Sequence, residues 1–193
     1  MQIPKFPEIT KAFEWLILEK DDGRFLSSDE LCQTRDVFQA RLDRLFHGLS
    51  RNPQYSPLSA PLSACVGELG NNAFDHNLGK WKDQPGIFFV HDLARRFIFV
   101  ADRGQGVFSS LKRVKKDIKD EQEAIDIAFT KIISGRSPEH RGNGLKFVAG
   151  SMKRYGFSLF FQSGTGKYQI PSKRILSFPM PENLPGTFAV IFF

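Results

Sequence analysis

Apolar positions recur along the first part of the chain at helical spacing. Over residues 8–20, Phe13, Leu16 and Ile17 fall on one side and predict a short helix. A longer helix is expected through about residue 48, capped by Ser28 or Asp29, with Leu31, Phe38, Leu42, Leu45 and Leu49 at spacings of three, four and seven. Arg51 to Pro57 is rich in Pro, Asn and Ser and reads as a connection. A third helix is expected from about Pro57 to Asn77. The pattern then changes to short apolar runs. IFFVHD (87–92) and RFIFVAD (96–102), joined by Leu93-Ala94-Arg95, predict a β-hairpin. Residues 107–140 are polar and partly helical, with an apolar patch from Ala124 to Ile133. Leu145 to Tyr155 predicts another helix. FSLFFQS (157–163), KYQI (167–170), RILSF (174–178) and TFAVIFF (187–193) complete the strands, with Gly164 and Gly166 punctuating one hairpin. Helices, strands, helices, strands is the order of an α+β two-layer sandwich with a mostly antiparallel sheet.

Composition narrows the class. Of 193 residues, 41% are hydrophobic and 25% charged, a balance that suits a globular chain able to bury a core without disulfides or metals. Phe is abundant, at 20 residues against 3 Tyr and 2 Trp, so the core should be built on aromatic packing. No run approaches the roughly 18 consecutive apolar residues of a membrane span. The start, MQIPKFPEITKAFEW, does not read as a secretory signal. Cys32 and Cys65 lie far apart and outside any CxxC spacing, which fits reduced thiols in a cytoplasmic protein. The net charge is +6. Residues 140–193 hold seven Lys/Arg and one acid, Glu182, and so account for all of it. A basic half suits an anionic ligand or partner, or a solvated surface. No basic run or nucleic-acid motif accompanies it, so nucleic acid is not the expected partner.

The third helix carries candidate chemistry. Glu68, Asn72 and His76 are spaced i, i+4, i+8 and lie along one face. Leu62, Cys65, Val66, Leu69 and Ala73 form the opposing apolar stripe. A carboxylate and an amide oxygen one turn apart suit Mg²⁺, which takes hard oxygen ligands and keeps waters or phosphates for its remaining positions. Such a carboxylate can also orient an attacking hydroxyl or water. The plainer reading is an amphipathic helix with an ordinary polar face, and His76 reads as a residue of the helix end.

Two glycine clusters follow. Asp102-Arg103-Gly104-Gln105-Gly106 closes a strand, where an acid can accept a hydrogen bond from a base amino group and glycines admit a ligand close to the backbone. Arg141-Gly142-Asn143-Gly144-Leu145 opens a helix and offers an anion cradle of outward N–H groups. Each cluster alone is also compatible with a turn. GxGxxG after a first strand and GxxxxGK[ST] are both missing, which excludes a Rossmann fingerprint and a P-loop.

Taken in order, these pieces resemble the GHKL ATPase superfamily, which includes sensor histidine kinases, gyrase-type topoisomerases, MutL, the large heat-shock chaperone and anti-sigma-factor serine kinases. Glu68-x-x-x-Asn72-Ala73-x-x-His76 is similar to its N box. Asp102-x-Gly104-x-Gly106 is similar to G1 and Arg141-Gly142-Asn143-Gly144-Leu145 to G2. Gly186-Thr187 resembles the Gly-Thr of the final strand. About 26 residues separate N box from G1 and about 36 separate G1 from G2. The resemblance implies a Bergerat fold over residues 57–193, with a mixed sheet backed by helices, preceded by a helical segment over 1–56. It implies ATP and Mg²⁺ as ligands. Asp102 would meet the adenine amino group with Thr187 and a water. Gly104 and Gly106 would shape the adenine end. Asn72 would ligate Mg²⁺, and Glu68 would be the general base. Arg141, Gly142, Asn143, Gly144 and Leu145 would form the phosphate end, and residues 107–140 the ATP lid, with Gly135 and Ser137-Pro138 as hinge and stop. Lys146 departs from the pattern, because a small residue is common there. It would contact phosphate or point to solvent. Arg136, Arg141 and His140 are lid candidates for stabilising transferred charge.

His47 is followed by Gly48-Leu49-Ser50, which does not fit a phosphoacceptor helix, and the chain is too short for a gyrase or MutL transducer domain. The expectation is therefore a stand-alone ATP-dependent module. The first reading is a protein Ser/Thr kinase acting on a small STAS-like regulatory partner. The others are a slow ATPase switch and a nucleotide-binding module without turnover. The N-terminal helices could dimerise, cover the sheet edge or dock the partner.

Overall fold

The computed structural model describes residues 6–130, 143–171 and 182–193. Its elements are α1 (Pro7–Ile17), β1 (Leu31–Cys32), α2 (Arg35–Arg51), a 3₁₀ turn (Ser56–Leu58), α3 (Ser59–Asn77), β2 (Ile87–Asp92), β3 (Phe97–Asp102), α4 (Gly106–Lys112), α5 (Glu121–Thr130), α6 (Gly144–Tyr155), β4 (Ser158–Gly164), β5 (Gly166–Ile170) and β6 (Leu184–Phe192). The fold is α+β. The six strands form one sheet in the order β1-β2-β3-β6-β4-β5. Every pairing among the described residues is antiparallel, where a mixed sheet was expected.

The central strands explain the aromatic composition. All six residues of β3 are buried, so the strand reads as a continuous apolar run rather than an alternating one. Ile98 and Val100 join Ile87, Phe89, Ala189 and Ile191 on the face packed against α2, α3 and α6. Phe97 and Phe99 join Phe88, Phe188, Val190 and Phe192 on the other face, against Phe6, Ile9, Ala12, Trp15 and Leu16 of the N-terminal region. Helices thus cover both faces of the sheet, which departs from the two-layer expectation. The second face is a lattice of phenylalanines, with Phe6–Phe97 and Phe88–Phe99 in edge contact at centroid distances of 5.1 and 5.0 Å and Phe99–Phe188 tilted at 5.1 Å.

Several boundaries move from the sequence expectation. α1 stops at Ile17, which is exposed rather than packed with Leu16. The second helix begins at Arg35, not near residue 28. Thr34 Oγ1 caps it by accepting from Val37 N at 3.3 Å, while Leu31 and Cys32 pair with Phe88 and Ile87. The last strand starts at Leu184, ahead of Thr187. The expected strand at 174–178 and the end of the apolar patch, Ile132 and Ile133, lie outside the described residues. Cys32 and Cys65 are buried free thiols, both pushed up to about 11 by burial. No described helix is long and apolar enough to cross a membrane.

Candidate functional site

The site grows from the register of two strands and the last turns of one helix. β3 and β6 pair Asp102 with Thr187. Both lie on the face that carries Val100 and Ala189, because alternate residues share a face. α3 lies over that face. Its stripe of Leu62, Cys65, Val66, Leu69 and Ala73 is buried as expected. The adjoining row of Glu68, Asn72 and His76 borders a cavity of about 510 Å³ that also reaches Asp102 and Thr187. Glu68 and Asn77 stand nine positions apart along α3, a rise of about 13 Å. The cavity is therefore elongated, with Asp102 toward one end and Glu68 toward the other.

Asp102 is fully buried, and among the described residues no cation pairs with it. Its Oδ1 accepts from Gly104 N and from Asn77 Nδ2, each at 2.8 Å, and its Oδ2 accepts from the Thr187 hydroxyl. Burial raises the carboxyl to about 6, although the three hydrogen bonds pull the other way. Val100, Leu111, Phe161 and Ala189 supply apolar wall around this end.

At the other end the start of α6 presses on α3. A Cβ on Gly144 would stand 2.3 Å from Glu68 Oε2 and 3.2 Å from Asn72 Nδ2, so a side chain there would displace the Glu68 carboxylate. Asn143 precedes α6 without a side-chain cap, which leaves the first backbone N–H groups available to an acceptor. Asn143, Gly144 and Leu145 border the cavity, as does Phe147. Lys146 is half-buried. Its Nζ reaches Asn143 Oδ1 at 3.4 Å, and it is not part of the cavity wall.

Gly104 is also fixed by close approach, since a Cβ there would fall 1.9 Å from Asn77 Nδ2. Gly106 starts α4 on the cavity wall. His76 sits at the lip, its Nδ1 2.9 Å from Ser110 Oγ of α4. It joins two helices there, in keeping with a helix-end role.

The structure thus brings together Glu68, Asn72, Asp102, Gly106, Asn143, Gly144, Leu145 and Thr187 around one cavity, with Gly104 immediately behind Asp102. Arg141, Gly142, Arg136 and His140 lie outside the described residues, as do the expected hinge and stop at Gly135 and Ser137-Pro138. The described part of the expected lid is α4 and α5, which place Val107, Ser110, Leu111 and Ala128 on the wall.

No family model, curated protein or solved structure matches this chain.

Three contributors escaped the sequence reading. Asn77 bonds Asp102 from the end of α3. Ser163 Oγ accepts from Val107 N at 2.9 Å and donates to Gly186 O at 2.8 Å, which ties α4 to the first part of β6, just before Thr187. Arg103 is fully buried, with its Nη2 2.5 Å from Asp83 Oδ2. A buried arginine beside a glycine pair carries no sequence signal that separates it from an exposed one. Among the described residues no group of three or more His, Cys, Asp or Glu could hold a metal. Glu68 and Asn72 are among the oxygen donors on the cavity wall, together with Asp75, Asp102 and Asn143.

Proposed function

We propose that this chain is a Mg-dependent ATP-binding protein of the GHKL type that transfers the terminal phosphoryl group to a Ser or Thr hydroxyl of a small, STAS-like regulatory protein. The observation that carries this reading is one elongated cavity with, at one end, a buried carboxylate that no cation among the described residues pairs with, and a carboxylate–amide pair at the other. Its volume is within the range of about 300–1,000 Å³ usual for small-ligand sites. At the Asp102 end, the carboxylate offers acceptor capacity to an amino group between apolar walls that suit a flat base. At the Glu68 end, the start of α6 offers backbone N–H groups to phosphate oxygens.

Magnesium fits the donors present because Asn72 supplies a hard oxygen and phosphates would complete the shell. When bound, the ion would neutralise phosphate charge, with Asn72 as the side chain that holds it. Glu68 takes the proton of the attacking hydroxyl as that oxygen bonds to the terminal phosphorus. The bond to the bridging oxygen breaks, and the electron pair leaves on ADP. A transfer of this kind needs positioning and charge compensation more than covalent participation by the protein.

The test follows terminally labelled ATP. Wild type and Glu68→Gln are incubated with Mg²⁺ and a lysate of the source cells. The expected result is acid-stable label on a second protein, lost in the variant while ATP binding is retained. Acid-labile label would move the acceptor to histidine. Free phosphate without labelled protein would replace the kinase by an ATPase switch. Neither product, with binding intact, would overturn the transfer and leave Glu68 a structural residue.

A further inference from the structure

Asn77 ends α3 and is 3% exposed. Its amide connects three segments that are distant in sequence. Nδ2 donates to Asp102 Oδ1 at 2.8 Å, at the end of β3, and Oδ1 accepts from Gln105 N at 2.9 Å, at the start of α4. The amide also fills the space over Gly104 that a side chain would otherwise occupy. The network assigns the orientation of the amide. A flipped Asn77 would set its oxygen against a carboxylate oxygen and its NH₂ against an N–H donor.

This arrangement decides what Asp102 can offer. Oδ1 is saturated by two donors, Asn77 Nδ2 and Gly104 N. Oδ2 receives one, from Thr187. The remaining acceptor capacity is therefore on Oδ2, beside the Thr187 hydroxyl, and the carboxylate cannot rotate without losing a buried bond. A ligand group meeting Oδ2 must be a donor. An amino group satisfies it, whereas a carbonyl oxygen at the same place would face a lone pair.

We propose that Asn77 is a positioning residue that holds the Asp102 carboxylate in one orientation as an acceptor, and so selects purine nucleotides bearing a 6-amino group over those bearing a 6-oxo group. This rests on the reading that Asp102 meets the base. The same bond favours the ionised carboxylate. Without it, Asp102 more readily takes a proton and can itself donate to a 6-oxo group. Few charges compete with this control. Asp75 and His76 stand near the cavity mouth on α3, and Glu68 lies toward the far end. The described parts of α4, α6, β4 and β6 bring no titratable side chain to the cavity wall. Arg103, although next in the chain, turns its guanidinium to Asp83 and to carbonyls of the α1 end.

ATP and ITP differ at this position, which makes them the probes. Their affinities are measured with Mg²⁺ for wild type, Asn77→Ala and Asn77→Asp between about pH 6 and pH 8. Wild type is expected to prefer ATP. Asn77→Ala should lose ~tenfold or more of that preference, mainly through weaker ATP binding. Asn77→Asp keeps the size and the acceptor for Gln105 N, so it serves where the alanine variant does not fold. The carboxyl it introduces can donate to Asp102 only while protonated. ATP affinity of this variant should therefore fall as pH rises, whereas wild-type affinity holds or improves. A merely structural role would not reverse the pH profile. Unchanged ATP:ITP preference in Asn77→Ala, or a wild-type pH profile in Asn77→Asp, would overturn the assignment while leaving nucleotide binding intact. Absence of ATP binding by the wild-type chain would remove the nucleotide reading and this inference together.

Discussion

A buried carboxylate with no cationic partner among the described residues is a cost that the fold sustains at Asp102. Burial lifts its pKa from the ordinary 3.8 to about 6. Between those values the folded chain holds a proton that the unfolded chain releases. Stability therefore falls as pH rises through the interval, and the loss is complete above the folded value. Near pH 7 it is on the order of 3 kcal/mol. Asparagine has no charge to desolvate. Its oxygen can keep the bonds from Asn77 and Gly104, and its NH₂ can donate to Thr187 Oγ1. Asp102→Asn should therefore raise the denaturation midpoint at pH 7 and change it little at about pH 4, while weakening ATP binding ~tenfold or more. Urea unfolding at the two pH values, with a nucleotide titration, checks both halves. A variant that is less stable at pH 7 would show that the ionised form is favoured by its three donors. Legibility at this scale follows the range of each contact. Glu68, Asn72 and His76 are one face of one helix, so spacing alone reveals them. Asp102 and Thr187 appear as strand ends. Asn77 gains its role from partners 25 and 28 residues away, and at a helix end an asparagine reads only as a terminator.

The elements are joined to the site by a second buried charge. Arg103 Nη1 donates to the carbonyls of Trp15 and, at 3.2 Å, Leu16. Nη2 reaches Leu18 O at 2.9 Å, so the guanidinium shares the carbonyls at the end of α1 with Lys82 Nζ, 2.7 Å from Leu18 O, and with Leu18 N, which donates to Trp15 O. Asp83 completes the cluster. Burial opposes its charge, but the bonds from Arg103 and from the Asp21 and Gln84 amides hold its carboxyl below the ordinary range. Trp15 Nε1 donates to Asp21 Oδ2 at 2.6 Å in the same cluster. The first helix is thereby fastened to the loop between Asp102 and Gly104. Sequence patterning found the helix but not this attachment, because the bonds go to backbone carbonyls. It also misplaced the start of α2, since Leu31 continues the apolar periodicity of the helix although it pairs in the sheet. Asp83→Ala leaves Arg103 buried with carbonyls alone, and should destabilise the protein by about 3 kcal/mol or more. Asp83→Leu combined with Arg103→Met should lose less than the sum of the single changes. Chemical denaturation of Asp83→Ala, of Asp83→Leu and Arg103→Met singly, and of the double variant measures this. A loss below about 1 kcal/mol for Asp83→Ala would show that the α1 carbonyls suffice to hold the guanidinium.

Across the whole molecule, the cavity is bounded by parts of every layer on one side of the sheet: the end of α3, the paired ends of β3 and β6, the described portion of the expected lid, and the start of α6. None of these segments alone encloses it. A nucleotide that spans from Asp102 to Glu68 would therefore add contacts between elements that the unfolded chain cannot reproduce, and binding must appear as stability. At a free concentration a hundredfold above Kd, the gain is about 2.7 kcal/mol. For a chain of this length, that corresponds to a rise in Tm of roughly 5–10 °C. On the proposed reading the rise should require Mg²⁺ together with ATP, because Glu68 and Asn72 would face the phosphates and the described residues hold no metal cluster. Asn72→Ala should keep the base contact and lose the increment that Mg²⁺ adds. Thermal unfolding with ATP, with and without a chelator, measures both effects. An equal rise with and without the metal would detach Asn72 from the phosphates, while leaving Asp102 and the apolar walls as the seat of binding. An absent rise at saturating Mg-ATP would mean that the cavity closes around something other than this nucleotide.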